Sequence, residues 1–417
     1  MNGLRAVTLA LLCCLSLVAG VPVAADGAQA SSTEHGDSNV VSAGNTSEYL
    51  AIPESDIDRT STARGQLDVA AAVSSNTATI RTQSTEIALR GVMRGSDNET
   101  ERQAAVRRTA DRLDTRIQRL ESRERRAISG YAAGEITVTQ LLRTLAVVDA
   151  EARELDGLVT TLYRQNSRLD EPVLSRQEFG TFRARLLPLY GPVRQHLEET
   201  TRTGDGQRVY LETGDANIAL ATVDEPSIEN PQYVRETHIR GARGSAEQSG
   251  LTAEEVEQRF AQLYPWTEEN QEGGIQIGRY GGPPHHFTYA GVWPLDIGHS
   301  HAATTPALVT FFDGTTADVF YELQFKDPTL VPTTTVENTT TDGDLRLVVN
   351  TTRAGGPLGI AVLDNETGER VDAAVDVNGD SLGTTDSRRL WTVAPRGDLT
   401  VNATHGGRTV SVETRLD

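Results

Sequence analysis

The sequence predicts a multidomain α + (α+β) + β chain: an antiparallel helical hairpin or bundle, a mixed α+β module and a small C-terminal β-sandwich. Three observations carry this. Apolar residues recur at 4-3 spacing over two long stretches; extended runs then surround one capped helix; after residue 342 short apolar runs alternate with turn residues. With 417 residues the chain is too long for one ordinary core, so two or three domains are expected.

Residues 1–25 read as a secretory signal. Arg5 precedes an apolar run from Ala6 to Val21, and Val23-Ala24-Ala25 offers small residues before Asp26. An uncleaved anchor is the alternative, since the run is near the lower limit for a bilayer span. Gly20 and Pro22 favour cleavage, because they break a helix where a cleavage site needs extended chain. Cys13 and Cys14 are the only cysteines, and they lack the small upstream residues that lipidation of an exported cysteine needs. Cleavage leaves a chain without thiols, which excludes disulfides, cysteine nucleophiles and thiolate metal sites. No later apolar stretch is long enough to span a bilayer.

Residues 26–62, rich in Ser, Thr, Asp, Gly and Asn, are expected to form a flexible leader. The helical domain is placed at 63–203. Ser96-Asp97-Asn98-Glu99 forms a capping box ahead of Val106, Ala110, Leu113, Ile117, Leu120 and Ala127, a series broken by Glu124. After Gly130 and Gly134, with Thr137 and Gln140 as a second box, come Val138, Leu141, Leu145, Val148, Ala152, Leu155, Val159 and Leu162. Two helices of about thirty residues, each about 45 Å long, joined by a short turn must run antiparallel. Ser175 and Glu178 start another helix that Pro188 interrupts, and residues 64–93 add one more.

The α+β module spans 204–332. Extended runs at 207–212, 216–223, 275–279, 286–293 and 307–325 surround a helix opened by Thr252-Ala253-Glu254-Glu255 and ended by Pro265. Phe312-Asp313-Gly314-Thr315 reads as a hairpin turn. Helix beside hairpin gives this part a vague likeness to peptidase-propeptide-type exported modules, without a specific motif. Residues 333–341 form a threonine-rich linker. In 342–417 the strands are Leu345–Val349, Gly359–Leu363, Ala374–Val377, Leu390–Val393, Leu399–Ala403 and Val410–Thr414, with turns at Asn365-Glu366-Thr367-Gly368, Asn378-Gly379 and Gly406-Gly407. This part resembles immunoglobulin- or transthyretin-like surface modules, and Pro395-Arg396-Gly397-Asp398 matches their usual ending. The resemblance implies a spacer or adhesion unit without shared catalytic residues.

Composition identifies the solvent. One lysine stands against 38 arginines, and 58 carboxylates leave a net charge of −19. Carboxylates hold water and cations, and arginine forms bidentate pairs where lysine's stem would dilute a hydrated surface. At molar salt the Debye length falls to about 3 Å, which screens the self-repulsion. The reading is a halophile's protein; arginine codons favoured by a GC-rich genome are the other source of this bias. Six Asn-x-Ser/Thr sequons, at Asn45, Asn98, Asn338, Asn350, Asn365 and Asn402, fit a glycosylated outer surface. The hairpin, including Ser129-Gly130-Tyr131-Ala132-Ala133-Gly134-Glu135-Ile136 and Leu145-Ala146-Val147-Val148-Asp149-Ala150-Glu151-Ala152, resembles a group of exported haloarchaeal proteins of unknown function. That likeness implies a setting and no activity.

Few constellations suggest chemistry. His285, His286, His299 and His301 cluster, and strand periodicity would put His299 and His301 on one face as a metal pair requires, with Asp296 as an added oxygen ligand. Gly291, Pro294 and Gly298 favour a loop whose histidines are hydrogen-bonded structure or a pH response near 6.5. Asp376-Val377-Asn378-Gly379-Asp380 suggests a calcium loop but has Ser381 and Ser387 where that loop needs glycine and glutamate. Residues 101–126 carry nine arginines against five acids. Asp111 with Arg107 and Glu121 with Arg125 favour a salt-bridged, solvated face over a nucleic-acid surface, and docking on an acidic partner or on the acidic domains of the same chain is intermediate. No nucleophile elbow, zinc-protease helix, phosphate loop or dinucleotide fingerprint occurs, so neither a catalytic set nor a cofactor is expected.

The favoured reading is a non-enzymatic exported envelope protein that binds an envelope protein or glycan, with the helical hairpin for association. Nucleic acid is disfavoured, and membrane contact would run only through residues 1–25. The alternatives are a metal-dependent extracellular enzyme using the four histidines, and a signal-anchored sensor or assembly ectodomain.

Overall fold

The computed structural model describes residues 39–42, 47–204, 206–224, 231–244, 250–269, 276–277, 290–297, 307–341 and 343–417. It begins with a small antiparallel pair, β1 (Val40–Val41) and β2 (Tyr49–Leu50), followed by β3 (Arg59–Arg64). Much of the segment expected to be a flexible leader is therefore built structure. Its few apolar side chains are well spent, since Leu50 and Ile52 are buried in the largest apolar cluster. Strand β3 is polar because it is an edge strand, where arginine and threonine can face water.

Five helices follow: α1 (Val69–Gly95), α2 (Glu99–Ala132), α3 (Val138–Asn166), α4 (Arg176–Leu186) and α5 (Pro192–Thr203). The capping boxes at Thr137/Gln140 and Ser175/Glu178 form as their spacing requires. At α2 the cap is Asn98, two residues later than expected: its Oδ1 accepts from the amides of Thr100 and Glu101, while Ser96 Oγ turns outward to Glu101. Val106, Leu113, Ile117 and Leu120 of α2 share one apolar cluster with Val148, Leu155, Val159 and Leu162 of α3. Phe179, Phe182 and Leu186 of α4 pack on the same cluster. The hairpin's seams are thus consumed inside the bundle. An exposed apolar line lies instead on α1, where Val73, Ile80 and Ile87 recur every seven residues.

The middle of the chain builds β4 (Arg208–Gly214), β5 (Asn217–Asp224), β6 (Gln232–His238), α6 (Ala253–Leu263), α7 (Trp266–Glu269), β7 (Gln276–Ile277), β8 (Val292–Ile297), β9 (Ala307–Asp313) and β10 (Val319–Lys326). These strands and β3 form one antiparallel sheet of order β3-β4-β5-β6-β10-β9-β8-β7. The boundary expected at 203/204 is bridged by strand pairing and by a shared core. Ile128, Tyr131, Leu141 and Leu145 of the hairpin meet Val209, Leu211, Leu220 and Val234 of the sheet, with Val193 and Leu197 of α5 between.

Strand alternation sends Tyr210, Val223 and Tyr233 to the opposite face. There they meet Ala354, Trp391 and Val393 of the C-terminal sandwich. That sandwich holds β11 (Thr334–Thr339), β12 (Leu345–Thr351), β13 (Pro357–Asp364), β14 (Ala374–Val377), β15 (Asp380–Thr384), β16 (Leu390–Val393), β17 (Gly397–His405) and β18 (Arg408–Leu416). Its sheets run β11-β12-β13-β16 and β15-β14-β17-β18. The segment expected as a linker is strand β11, because threonine's branched Cβ suits a pleated edge. Asn378 and Gly379 sit at φ 52° and 84°, the two left-handed residues of a tight hairpin turn, and not a calcium loop.

Gly355 fixes the sandwich to the sheet. Its φ is +69°, an added Cβ would lie 2.5 Å from Tyr210 Cδ1, and its carbonyl accepts from Tyr233 Oη at 2.8 Å. Gly355→Ala should lower stability by about 1–3 kcal/mol through left-handed strain and the ring clash. Denaturant unfolding in molar salt measures this, and an unchanged midpoint would show that the loop can move away from Tyr210.

Candidate functional site

The one break in the α2 seam, Glu124, is fully buried. Arg194 Nη1 donates to its Oε1 at 2.6 Å and Arg240 Nη2 to its Oε2 at 2.7 Å. Arg194 also donates through Nε to Glu236 Oε1 at 2.8 Å. Asp149 completes the group, receiving both Arg153 and the Gly191 amide. Burial pushes the carboxyls of Asp149 and Glu236 up, against the pull of the guanidiniums beside them. Three carboxylates meet three guanidiniums, so the group is neutral as a whole. Glu236 also caps α5: Gly191 has no side chain to do so, and Glu236 Oε2 accepts from the Val193 amide at 3.1 Å. A Cβ at Gly191 would come within 2.1 Å of that oxygen. This constellation holds helices to sheet, with Glu124, Arg194 and Glu236 all buried.

A second polar group lies under the strap 47–50. Leu50 N donates to Glu322 Oε2, Arg235 Nη2 to Leu50 O, Gln324 Nε2 to Glu48 O, and Lys326 Nζ to Ser47 Oγ. Two guanidiniums lie over the Tyr49 ring, Arg353 at 3.6 Å and Arg235 at 5.1 Å from its centroid. Lys326, the only lysine in the chain, is pushed down to about 7 by loss of water and then by Arg353, against the pull of Glu322.

Two arginine surfaces are open to solvent. On α2, Arg108, Arg112, Arg119, Arg123 and Arg126 are exposed and make no ion pair with a described residue. At 100° per residue they fall within about 60° of arc, a stripe about 27 Å long opposite the buried face. The pairings expected within this helix do not form. Arg107 reaches Glu178, and Glu121 takes Arg185, because α4 brings its charges alongside.

The other surface is a cleft of about 540 Å³ between the large sheet and the sandwich. Arg64, Arg208, Arg388 and Arg389 line it, with Asp386 as the carboxylate among its lining residues. Arg208 is 6% exposed; Nη2 donates to Thr62 Oγ1 at 2.7 Å and lies 3.5 Å from Asp380, while Nε and Nη1 have no hydrogen-bond partner. Arg389 lies 5.5 Å over the Trp391 ring, and its Nε is also without a hydrogen-bond partner. Burial lowers both guanidiniums from the usual arginine range, with Arg370 adding to the effect at Arg389.

His285, His286, His299 and His301 lie outside the described residues, as does Asn45. Asp296, offered as their oxygen partner, is buried in β8. Among the described residues no group of three His, Cys, Asp or Glu could hold a metal. Of the other sequon residues, Asn98, Asn338 and Asn365 are exposed and Asn402 is half-buried. Asn350 is 9% exposed, and its Nδ2 donates to Thr333 and Thr335.

Three family descriptions match the chain. Residues 1–207 match a domain of unknown function (DUF7096), 209–332 a family of unknown function (DUF7094), and 334–412 an archaeal fibronectin-III type-like domain. The C-terminal sandwich is thereby placed as fibronectin-III-like. The first boundary separates β3 from β4, so two of these regions contribute to one sheet. No curated protein and no solved structure matches the chain.

Two measurements probe the buried groups. Glu124→Gln should destabilise by about 3–5 kcal/mol, since it strands Arg194 and Arg240 without their full counter-charge, whereas replacing Glu124, Arg194, Glu236 and Arg240 together by methionines removes two charges of each sign and should cost far less. Equal losses in denaturant unfolding would contradict this account. For Lys326, the amine is neutral in the folded protein above about pH 7 but charged in the unfolded chain to about pH 10.4. Stability should therefore rise with pH between these values and fall as pH drops through 7. Lys326→Met should flatten that rise over pH 7–9.5; an unchanged pH profile would remove the argument.

Proposed function

We propose that this chain is an exported, salt-adapted cell-envelope protein, a non-enzymatic binding or structural unit that holds an anionic envelope polymer along the arginine stripe of α2. The observation that carries the reading is the alignment of Arg108, Arg112, Arg119, Arg123 and Arg126 on one exposed face of a chain with net charge −19. Such a stripe attracts carboxylate or sulfate groups where the rest of the surface repels them. At molar salt only direct contacts survive screening, and guanidinium forks make the strongest of these. The same salt weakens phosphate-backbone binding steeply, which disfavours nucleic acid. The N-terminal apolar run supports an exported setting. Attachment to a membrane would run through residues 1–25 if they are retained, and the exposed sequons Asn98, Asn338 and Asn365 are the ones that would carry glycans.

Cell fractionation in a salt-requiring host tests this. The mature protein should sediment with the envelope, and Arg112→Gln/Arg119→Gln/Arg123→Gln should release it into the medium with unchanged circular dichroism, because these side chains lie outside the core. Finding the mature protein only in the cytosol would overturn export. Undiminished retention of the triple variant would overturn the role of the stripe.

A further inference from the structure

We propose that the cleft between the large sheet and the sandwich is a binding site for an anionic sugar, one whose ring carries a carboxylate or a sulfate. The proposal concerns a different surface from the α2 stripe and does not depend on where the protein resides. Among the described residues, four guanidiniums and one carboxylate line a space of about 540 Å³, within the range of small-ligand pockets and large enough for one or two sugar rings. Surface arginines alone would not make this a site. The decisive feature is Arg208, which is 6% exposed and has two nitrogens without a hydrogen-bond partner. A buried cation with unmet donors is costly, and an oxyanion supplies what Thr62 and Asp380 leave unmet. Asp380 is 71% exposed, so it compensates weakly through high-dielectric surroundings.

The remaining lining argues for a sugar over a free inorganic ion. Trp391, Leu382 and Leu390 give an apolar wall, and Thr384 and Thr392 give hydroxyls. Guanidiniums beside an aromatic ring and hydroxyl partners suit a ring with an acidic substituent. An acidic peptide would satisfy the arginines but has no ring to lay on this wall.

Trp391 provides the readout. Oligogalacturonate, a sulfated galactose oligomer, the neutral galactose oligomer and a glutamate peptide are titrated into the full-length protein in molar salt, following tryptophan fluorescence and calorimetric heat. Saturable binding of either acidic sugar, at least tenfold tighter than the neutral oligomer, is expected, and the tighter arm identifies the oxyanion. Arg388→Gln/Arg389→Gln, at half-buried positions, should weaken that binding at least tenfold with unchanged unfolding midpoint. Arg208→Gln, checked for folding by circular dichroism, should do the same. The α2 triple variant should bind as the parent does, which separates this site from the stripe. No binding of either acidic sugar, equal binding of the glutamate peptide, or an unaffected Arg388/Arg389 variant would each overturn the proposal.

Discussion

The structure depends on a neutral group of six charges where three helices meet the sheet. Glu124 comes from α2, Asp149 and Arg153 from α3, Arg194 from α5, Glu236 from β6 and Arg240 from the turn after it. Each charge there would be ruinous alone, since an ion buried without a partner costs several kcal/mol. Together they fix one registration of helices on sheet, because only one placement satisfies both oxygens of Glu124 and both of Glu236. Apolar packing alone would accept small slides along the α2–α3 seam; the charge group does not. Salt outside screens this interior poorly, so the constraint is independent of the solvent that the acidic surface faces.

Arginine's chemistry is needed for this. Arg194 uses separate nitrogens to hold carboxylates from a helix and a strand, and then the Pro188 carbonyl, a geometry that a point-charge ammonium cannot reproduce. The arginine excess over lysine is therefore built into the interior as well as the surface. The lone lysine sits where a fixed charge would be poorly tolerated. Lys326 lies near Arg353 and Arg235, and an amine can lose its proton near neutral pH where a guanidinium cannot.

Helices α1 to α4 and α6 were legible from their sequence because 3.6-residue periodicity and three of the caps are local signals, whereas α5, capped by Glu236 from a distant strand, was not. Glu124 also left a trace, as a charge standing where the α2 pattern demands an apolar residue. Strand β6 was not legible and lies outside the extended runs expected from the sequence: Gln232, Arg235, Glu236, Thr237 and His238 are polar, yet all but Gln232 are buried. Their partners arrive from α5, β10 and the strap 47–50, far away in sequence. For the same reason the segment 39–62 lacks any pattern of its own; it is ordered by Glu322, Arg235 and the edge of β4. The arginines of the cleft gave no signal either, since Arg64, Arg208 and Arg388-Arg389 converge only through the fold.

That convergence bears on how the matched regions relate to function. Arg64 and Gln207 fall in the first matched region, Val223 in the second, and Arg388, Arg389 and Trp391 in the third, while Arg208 lies between the first two. No single region contains the cleft. A sandwich on a flexible tether would open and close such a site at random, but here Gly355 meets Tyr210 and Tyr233, and β16 packs on the face of β4 and β5. The fibronectin-III-like unit therefore forms one wall of the cleft. The sandwich packs on the same sheet whose other face is held to the helices by the six charges, so the walls of the cleft and the helical layer are registered on one sheet.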